Sequence, residues 1–290
     1  MTIALVLAWG STFAAVKIGL ENAPPLLFGG LRSVLGGLVM VAVAARLGRH
    51  AGVREHLSSY VVLTLLNVVG FFGLQTLAIQ ALPSGLAAVL IYLQPVLTGV
   101  LAGPMLGEHV GATALVGLGV GFAGIAAVGL GALDGHVSVL GVGYALVAAL
   151  VWAFGTIAVK RTPVDTWWAV ALPFTAGGVL LSLVGGATEG TAIAWSPGFV
   201  AALAYSTLIG TSLSWGLWFS LVAAGEAART AAVIFFVPIV SLVIGIVVLH
   251  EDLHASLVVG AALVVVGVWL VNRRPRVSEP ASAAADSRGR

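Results

Sequence analysis

The 290-residue sequence predicts an all-α polytopic membrane protein, with ten transmembrane helices arranged as two inverted five-helix repeats. Three observations lead there. Apolar side chains make up 60% of the chain, and only 24 residues are charged (13 Lys and Arg, 11 Asp and Glu). That is about 8%, against roughly 25% in a soluble domain. Seven of the 24 crowd into residues 273–290, so the first 272 residues have too few charges to cover a soluble surface. Ten apolar stretches approach the roughly 20 residues that cross a bilayer. Finally, rare residues recur at one constant separation.

The spans read in order as 3–20, 26–47, 60–81, 84–103, 112–130, 138–160, 166–184, 199–224, 230–249 and 255–271. The first begins almost at Met1 with no positive region ahead of it. It is read as a helix rather than a cleaved signal peptide because it has a counterpart in the second half. Breaks between spans carry turn chemistry, as at Asn22-Ala23-Pro24-Pro25, the Arg46–His56 segment, Leu82-Pro83-Ser84, Gly107-Glu108-His109 and Gly225-Glu226. Residues 273–290, rich in Pro, Ser, Ala and Arg, cannot bury enough apolar surface to fold and read as a disordered cytoplasmic tail.

Orientation follows from Lys and Arg in short loops. With the N-terminus in the cytoplasm, the cytoplasmic segments hold Arg46, Arg49, Arg54, Lys160, Arg161, Arg229 and five tail arginines, which is 11 of the 13 basic residues. The other two, Lys17 and Arg32, lie inside spans. The opposite loops hold Glu21, Asp134, Glu189, Glu251 and Asp252 and no Lys or Arg. Both termini are therefore expected inside.

The constant separation is 143 positions. It relates Trp9 to Trp152, Lys17 to Lys160, Gly73 to Gly216, Pro95 to Pro238, Glu108 to Glu251, Gly117 to Gly260 and Gly124 to Gly267. Trp, Lys and Glu are rare here, so those pairs carry most of the weight. Five spans per copy is an odd number, so the second copy enters the membrane upside down. The repeats are expected at 1–137 and 138–272. Inverted repeats recur in secondary transporters, with the substrate site near the midplane between the halves.

The chain resembles the EamA-type transporters of the drug/metabolite transporter superfamily. The resemblance rests on Trp9-Gly-Ser-Thr-Phe ending in Lys17, on Pro24-Pro25 followed by Arg32, and on Pro95-Val96. Leu106-Gly107-Glu108 before a glycine-spaced span adds to it, with second-half echoes at Pro238 and Glu251. It covers the chain to about Asn272. It implies a central cavity lined by spans 1–4 and 6–9, with spans 5 and 10 peripheral. It also implies small-metabolite transport, commonly export of amino acids or related compounds, with the aromatic amino-acid exporters as a plausible neighbour.

Several residues are candidates for lining that cavity. Arg32 is the one charge well inside the apolar part of a span. An intramembrane ionisable group is a functional candidate by default, although a packing or snorkelling arginine is the plainer reading. It could meet a substrate carboxylate or a partner such as Glu21, and Lys17 could pair with Glu21 on one helical face. Asn67, Phe71 and Gln75 share a face of span 3. Tyr92 and Gln94 precede Pro95, and span 8 carries Tyr205, Thr211, Ser212, Ser214, Trp215 and Trp218. Singly, such polar groups read as interhelical hydrogen bonds worth about 0.6 kcal/mol; together they favour a lined cavity. Trp9 and Trp152 lie mid-span, too deep for an interfacial belt, and Thr12 falls in the same motif as Trp9. The substrate-binding candidates are thus Trp9, Thr12, Arg32, Asn67, Phe71, Gln75, Tyr92, Trp152, Thr211, Trp215 and Trp218.

Pro95 and Pro238 fall mid-span, where proline frees the carbonyl four residues earlier. These would be the carbonyls of Ile91 and Ile234, at paired hinges. Glu108 and Glu251 are expected to cap spans 5 and 10. Gly119-Val-Gly121-Phe-Ala-Gly124 spells a dinucleotide fingerprint but lies in an apolar span with no strand before it, so the match is false. The absence of cysteine excludes thiol chemistry and cysteine-ligated metals. No metal, cofactor, nucleic-acid partner or catalytic constellation is expected.

The expectation is an inner-membrane secondary transporter, a monomer or homodimer. It would export small metabolites, amino acids and bulky or aromatic ones among them, by alternating access. Carriage of other metabolites or drugs is the alternative, followed by a non-transport membrane subunit. No Asp or Glu lies mid-span, which favours a facilitator or protonation of a boundary carboxylate such as Glu21.

Overall fold

A computed structural model describes residues 2–106, 112–133, 137–223, 234, 236–252 and 255–272. Among them the secondary structure is helical throughout. The helices are α1 (Thr2–Leu20), α2 (Pro25–Arg46), α3 (Leu57–Ala81), α4 in two halves (Ser84–Ile91 and Gln94–Leu106) and α5 (Ala112–Leu133). They continue with α6 (Val139–Arg161), α7 (Trp168–Thr188), α8 (197–223), α9 (Val237–Leu249) and α10 (Ala255–Asn272). Seven helices among the described residues are long and apolar enough to cross a bilayer, which makes this a multi-pass membrane protein; α9 and α10 supply two shorter apolar segments. The expected Glu108 cap, Asp134, Arg229 and the 273–290 tail lie outside the described residues.

Helix starts follow local chemistry. Pro25 and Pro197 occupy first turns, where no N–H partner is lost. Ser138 and Ser196 accept from the N–H groups of Gly141 (3.1 Å) and Phe199 (3.0 Å) as N-caps. Asp165 accepts from Trp167 N–H (3.0 Å) ahead of α7. At the end of α2, Gly48 takes φ +64° while Gly48 N–H bonds Ala45 and Arg49 N–H bonds Ala44. That is the Schellman pattern, which glycine completes without steric cost.

Two seams of small residues bring helices into backbone contact. α2 packs along α7: a Cβ added at Gly30 would lie 2.5 Å from Ser182 N, and one at Gly178 would lie 2.5 Å from Val34 N. Further along, Gly37 meets Thr175 N and Gly185 meets Leu27 N, each at 2.5 Å. α5 packs along α10, with Gly124 against Gly260 O (2.7 Å) and Gly267 against Gly117 O (2.6 Å). Each seam is reciprocal and antiparallel. Residues 143 apart exchange places in α5/α10, and residues 148 apart do so in α2/α7.

Two corrections concern the helix interiors. Pro95 and Pro238 do not interrupt continuous helices. Pro95 lies at the start of the second half of α4, after a turn at Tyr92-Leu93, and Pro238 in the first turn of α9. The N–H that proline lacks is one that a helix start leaves unpaired anyway. The irregular stretches inside helices are instead π-helical, Thr64–Gly70 in α3 and Ser206–Leu213 in α8. In α8 hydroxyls help to hold the wide turn, with Thr211 donating to Ser206 O (2.9 Å) and Ser212 to Thr207 O (3.1 Å).

Candidate functional site

The centre of the bundle is an aromatic cluster contributed by α1, α3, α4, α6 and α8. Trp9, Trp152 and Trp215 form a triangle with ring centroids 6.0–6.4 Å apart. Phe71 stacks on Trp152 at 4.7 Å, and Tyr92 meets the same ring edge-on at 5.5 Å. Trp218 reaches Trp9 at 5.9 Å. Trp9 and Trp152 are equivalent under the 143-residue offset, and here they touch each other.

These rings enclose a cavity of about 30 Å³, lined by Trp9, Thr12, Phe13, Phe71, Tyr92, Trp152, Gly210 and Trp215, with Arg32, Phe72 and Gln75 at one wall. Small-molecule pockets run to several hundred Å³. The cavity is therefore water-sized, narrowed by its own side chains, and admits a metabolite only when rings or helices move apart.

Arg32 supplies the wall's charge. It is 1% exposed, the eighth residue of α2 and so about 10 Å from that helix's start. Its Nη2 donates to Gln75 Oε1, and its guanidinium carbon lies 4.3 Å from the centroid of the Phe72 ring. Nε is buried with no hydrogen-bond partner. Among the described residues no carboxylate is within ion-pair distance; the ion pair found there, Arg49 with Asp165 at 3.5 Å, is at a half-exposed end of the bundle. Burying a charge without a counter-charge costs several kcal/mol, and among the described residues Arg32 has no carboxylate to offset it.

Of the candidates named from sequence, Trp9, Thr12, Arg32, Phe71, Gln75, Tyr92, Trp152 and Trp215 come together around this cavity. Three do not line it. Asn67 packs against Gly155, Thr211 faces Gly36 of α2, and Trp218 stands behind Trp9. Asn67 and Thr211 belong to the π-helical stretches, whose wider turn rotates side chains away from the face that a 3.6-residue period assigns. Phe13, Phe72 and Gly210 complete the lining and were missed. Phe72 is adjacent to Phe71, about 100° round the same helix, and both rings reach the cavity.

Lys17 does not pair with Glu21, nor Arg32 with it. Lys17 Nζ donates to the carbonyls of Ile79 (2.7 Å), Gln80 (3.2 Å) and Leu82 (2.7 Å), capping the C-terminus of α3. Glu251 caps not α10 but the start of α4, accepting from Ser84 N (2.7 Å), Ser84 Oγ (3.0 Å) and Gly85 N (3.4 Å). It turns back because His250 adopts a left-handed conformation, φ +54°. Glu189 accepts from Leu26 N (2.9 Å) at the start of α2. Three charged side chains thus tie helix ends together across one end of the bundle.

The family model described as the EamA-like transporter family matches residues 1–130 and 139–273. The chain belongs to the EamA-like transporter family. It is 39% identical over 281 residues to YvbV, an uncharacterized transporter of Bacillus subtilis, a match covering 96% of this chain and 92% of that one. It is 28% identical over 304 residues to a protein of Salmonella typhimurium named "probable amino-acid metabolite efflux pump", covering 96% and 97%. A solved crystal structure superposes with a TM-score of 0.68 at 20% identity, over 93% of this chain and 94% of that one. That likeness establishes a shared fold and nothing finer.

Proposed function

We propose that this EamA family member is a secondary transporter of ten membrane-spanning helices in two inverted repeats, 1–137 and 138–272. It exports small amphipathic metabolites of the amino-acid class across the inner membrane by alternating access. The observation that carries the reading is the narrow aromatic pocket at the contact between the equivalent Trp9 and Trp152. A site on the axis between two oppositely oriented halves is available to either face when the halves exchange conformations. The antiparallel, reciprocal α2/α7 and α5/α10 seams support the inverted repeat, as does the match of one family model to both halves. The name of the Salmonella relative supports the substrate class.

In this reading Pro95 and Pro238 open paired flexible points, and the arginine-rich ends and both termini face the cytoplasm. The ties made by Lys17, Glu189 and Glu251 then close the outer face. The protein works as a monomer or homodimer. The test is uptake of a labelled mixture of the twenty amino acids by proteoliposomes of the purified protein, without an ion gradient and then with a pH gradient, beside empty liposomes. Equilibration of an aromatic or apolar subset, competed by its unlabelled members, is the expected result. No uptake by folded protein under either condition overturns the amino-acid assignment.

A further inference from the structure

We infer that the pocket selects aromatic or bulky apolar monocarboxylates bearing a net negative charge, and that the membrane potential drives their exit. The inference rests on the transport reading above but parts from its zwitterionic amino acids, taking their des-amino, anionic relatives as the preferred substrates, and it names the energy source.

Charge balance at Arg32 is the argument. The guanidinium makes one side-chain hydrogen bond, to Gln75, and rests on the Phe72 ring; its Nε is buried without a partner at the wall of the cavity. Among the described residues no carboxylate offsets its charge, so the site as it stands carries one net positive charge inside an apolar bundle. A zwitterionic amino acid leaves that net charge in place. It also adds a second positive charge, and none of the residues lining the cavity is a carboxylate that could neutralise it. A monocarboxylate brings the site to neutrality and presents a two-oxygen acceptor to the planar fork of donors. Its apolar part then meets Trp9, Trp152 and Trp215.

Only one half carries this cation. The position 148 residues beyond Arg32, the offset that relates α2 to α7, is Leu180. Phosphate esters, with two negative charges, would leave the site overcompensated.

The same charge supplies the driving force. None of the residues lining the cavity is Asp or Glu, so the pocket has no carboxylate to carry a coupling proton. An exported anion needs none, because an inside-negative potential expels it. Each 100 mV is worth about 2.3 kcal/mol per charge, equivalent to about a 50-fold concentration ratio.

The experiment is solid-supported-membrane electrophysiology on proteoliposomes of the full chain, with concentration jumps of 3-phenylpropanoate, L-phenylalanine, phenethylamine and chloride. Isotope exchange of phenylalanine is measured in parallel. Leakage of the uncharged acid carries no current and does not interfere. A saturable current of negative charge with 3-phenylpropanoate, at least tenfold above the other three, is expected. Gln75→Glu places a carboxylate beside Arg32, fills the anion site from within and keeps a paired, foldable wall; it should remove the current. Arg32→Gln should remove it too, and Gln75→Glu decides the matter if that variant does not fold. Phenylalanine exchange with no current from the des-amino acid overturns the inference and leaves the transport reading standing. An equal current from chloride, or one that survives in Gln75→Glu, also overturns it. Neither exchange nor current from folded protein sinks both.

Discussion

At the scale of single residues, Arg32 and Gln75 behave as a unit. Removing Gln75 alone leaves a buried guanidinium without its one hydrogen-bonding side chain, whereas replacing both leaves an apolar wall. Breaking one member of a buried polar pair costs more than replacing both. Gln75→Met is therefore expected to destabilise the protein by about 1–3 kcal/mol, and the double variant Arg32→Met/Gln75→Met by less than that single change. Thermal unfolding in detergent micelles compares the two. A double variant that loses more than Gln75→Met would mean that Arg32 is held mainly by contacts other than Gln75.

Helix elements are held by two devices, backbone seams and caps supplied from a distant part of the chain. Gly178 approaches Gly30 O and Val34 N so closely that no side chain fits without separating α2 from α7. Gly178→Val is expected to cost about 1–3 kcal/mol or more, as overpacking does, and to show as a lowered melting temperature or loss of folded yield. Gly143→Ala, in α6 where added bulk meets nothing within 4 Å, is the control and should be near neutral. The caps are weaker. Glu251→Ala removes the acceptor at the start of α4, and about 1 kcal/mol is expected, the usual worth of an N-cap. In the proposed cycle the end held by Glu251 must part, so the same variant should speed exchange across the bundle while lowering stability. A variant equally stable and equally slow would show that this tie plays no part in closure.

At the scale of the whole molecule, the water-sized pocket must open to admit a metabolite, and under the proposed alternating access it opens one way at a time. The chain has no native cysteine, so a single Thr12→Cys reports accessibility without background. A membrane-impermeant thiol reagent should reach it from one face only in any one conformation. Substrate should change the labelling rate at that face. Simultaneous fast labelling from both faces, in sealed vesicles, would describe a channel and contradict alternating access.

Sequence by itself determined the class of molecule, because bilayer insertion depends on apolar run length and charge scarcity, both of which are local. Most helix boundaries fall within about three residues of the apolar runs; the exception is α9, whose described part begins at Val237. The 143-residue recurrence was legible at Trp9 and Trp152 because rare residues keep register. It was illegible between α2 and α7, because α7 begins five residues before Pro173, the counterpart of Pro25 at the start of α2, and that insertion shifts the offset from 143 to 148. Only the tertiary structure decided which polar groups meet. Lys17 reaches carbonyls 62 to 65 residues away and Glu251 reaches back 167, and no helical period encodes such partners. The π-helical turns likewise moved Asn67 and Thr211 out of the pocket. A periodicity read along one chain assumes regular turns and near neighbours, while a buried site is assembled from helices whose closest approaches are set by packing across the bundle.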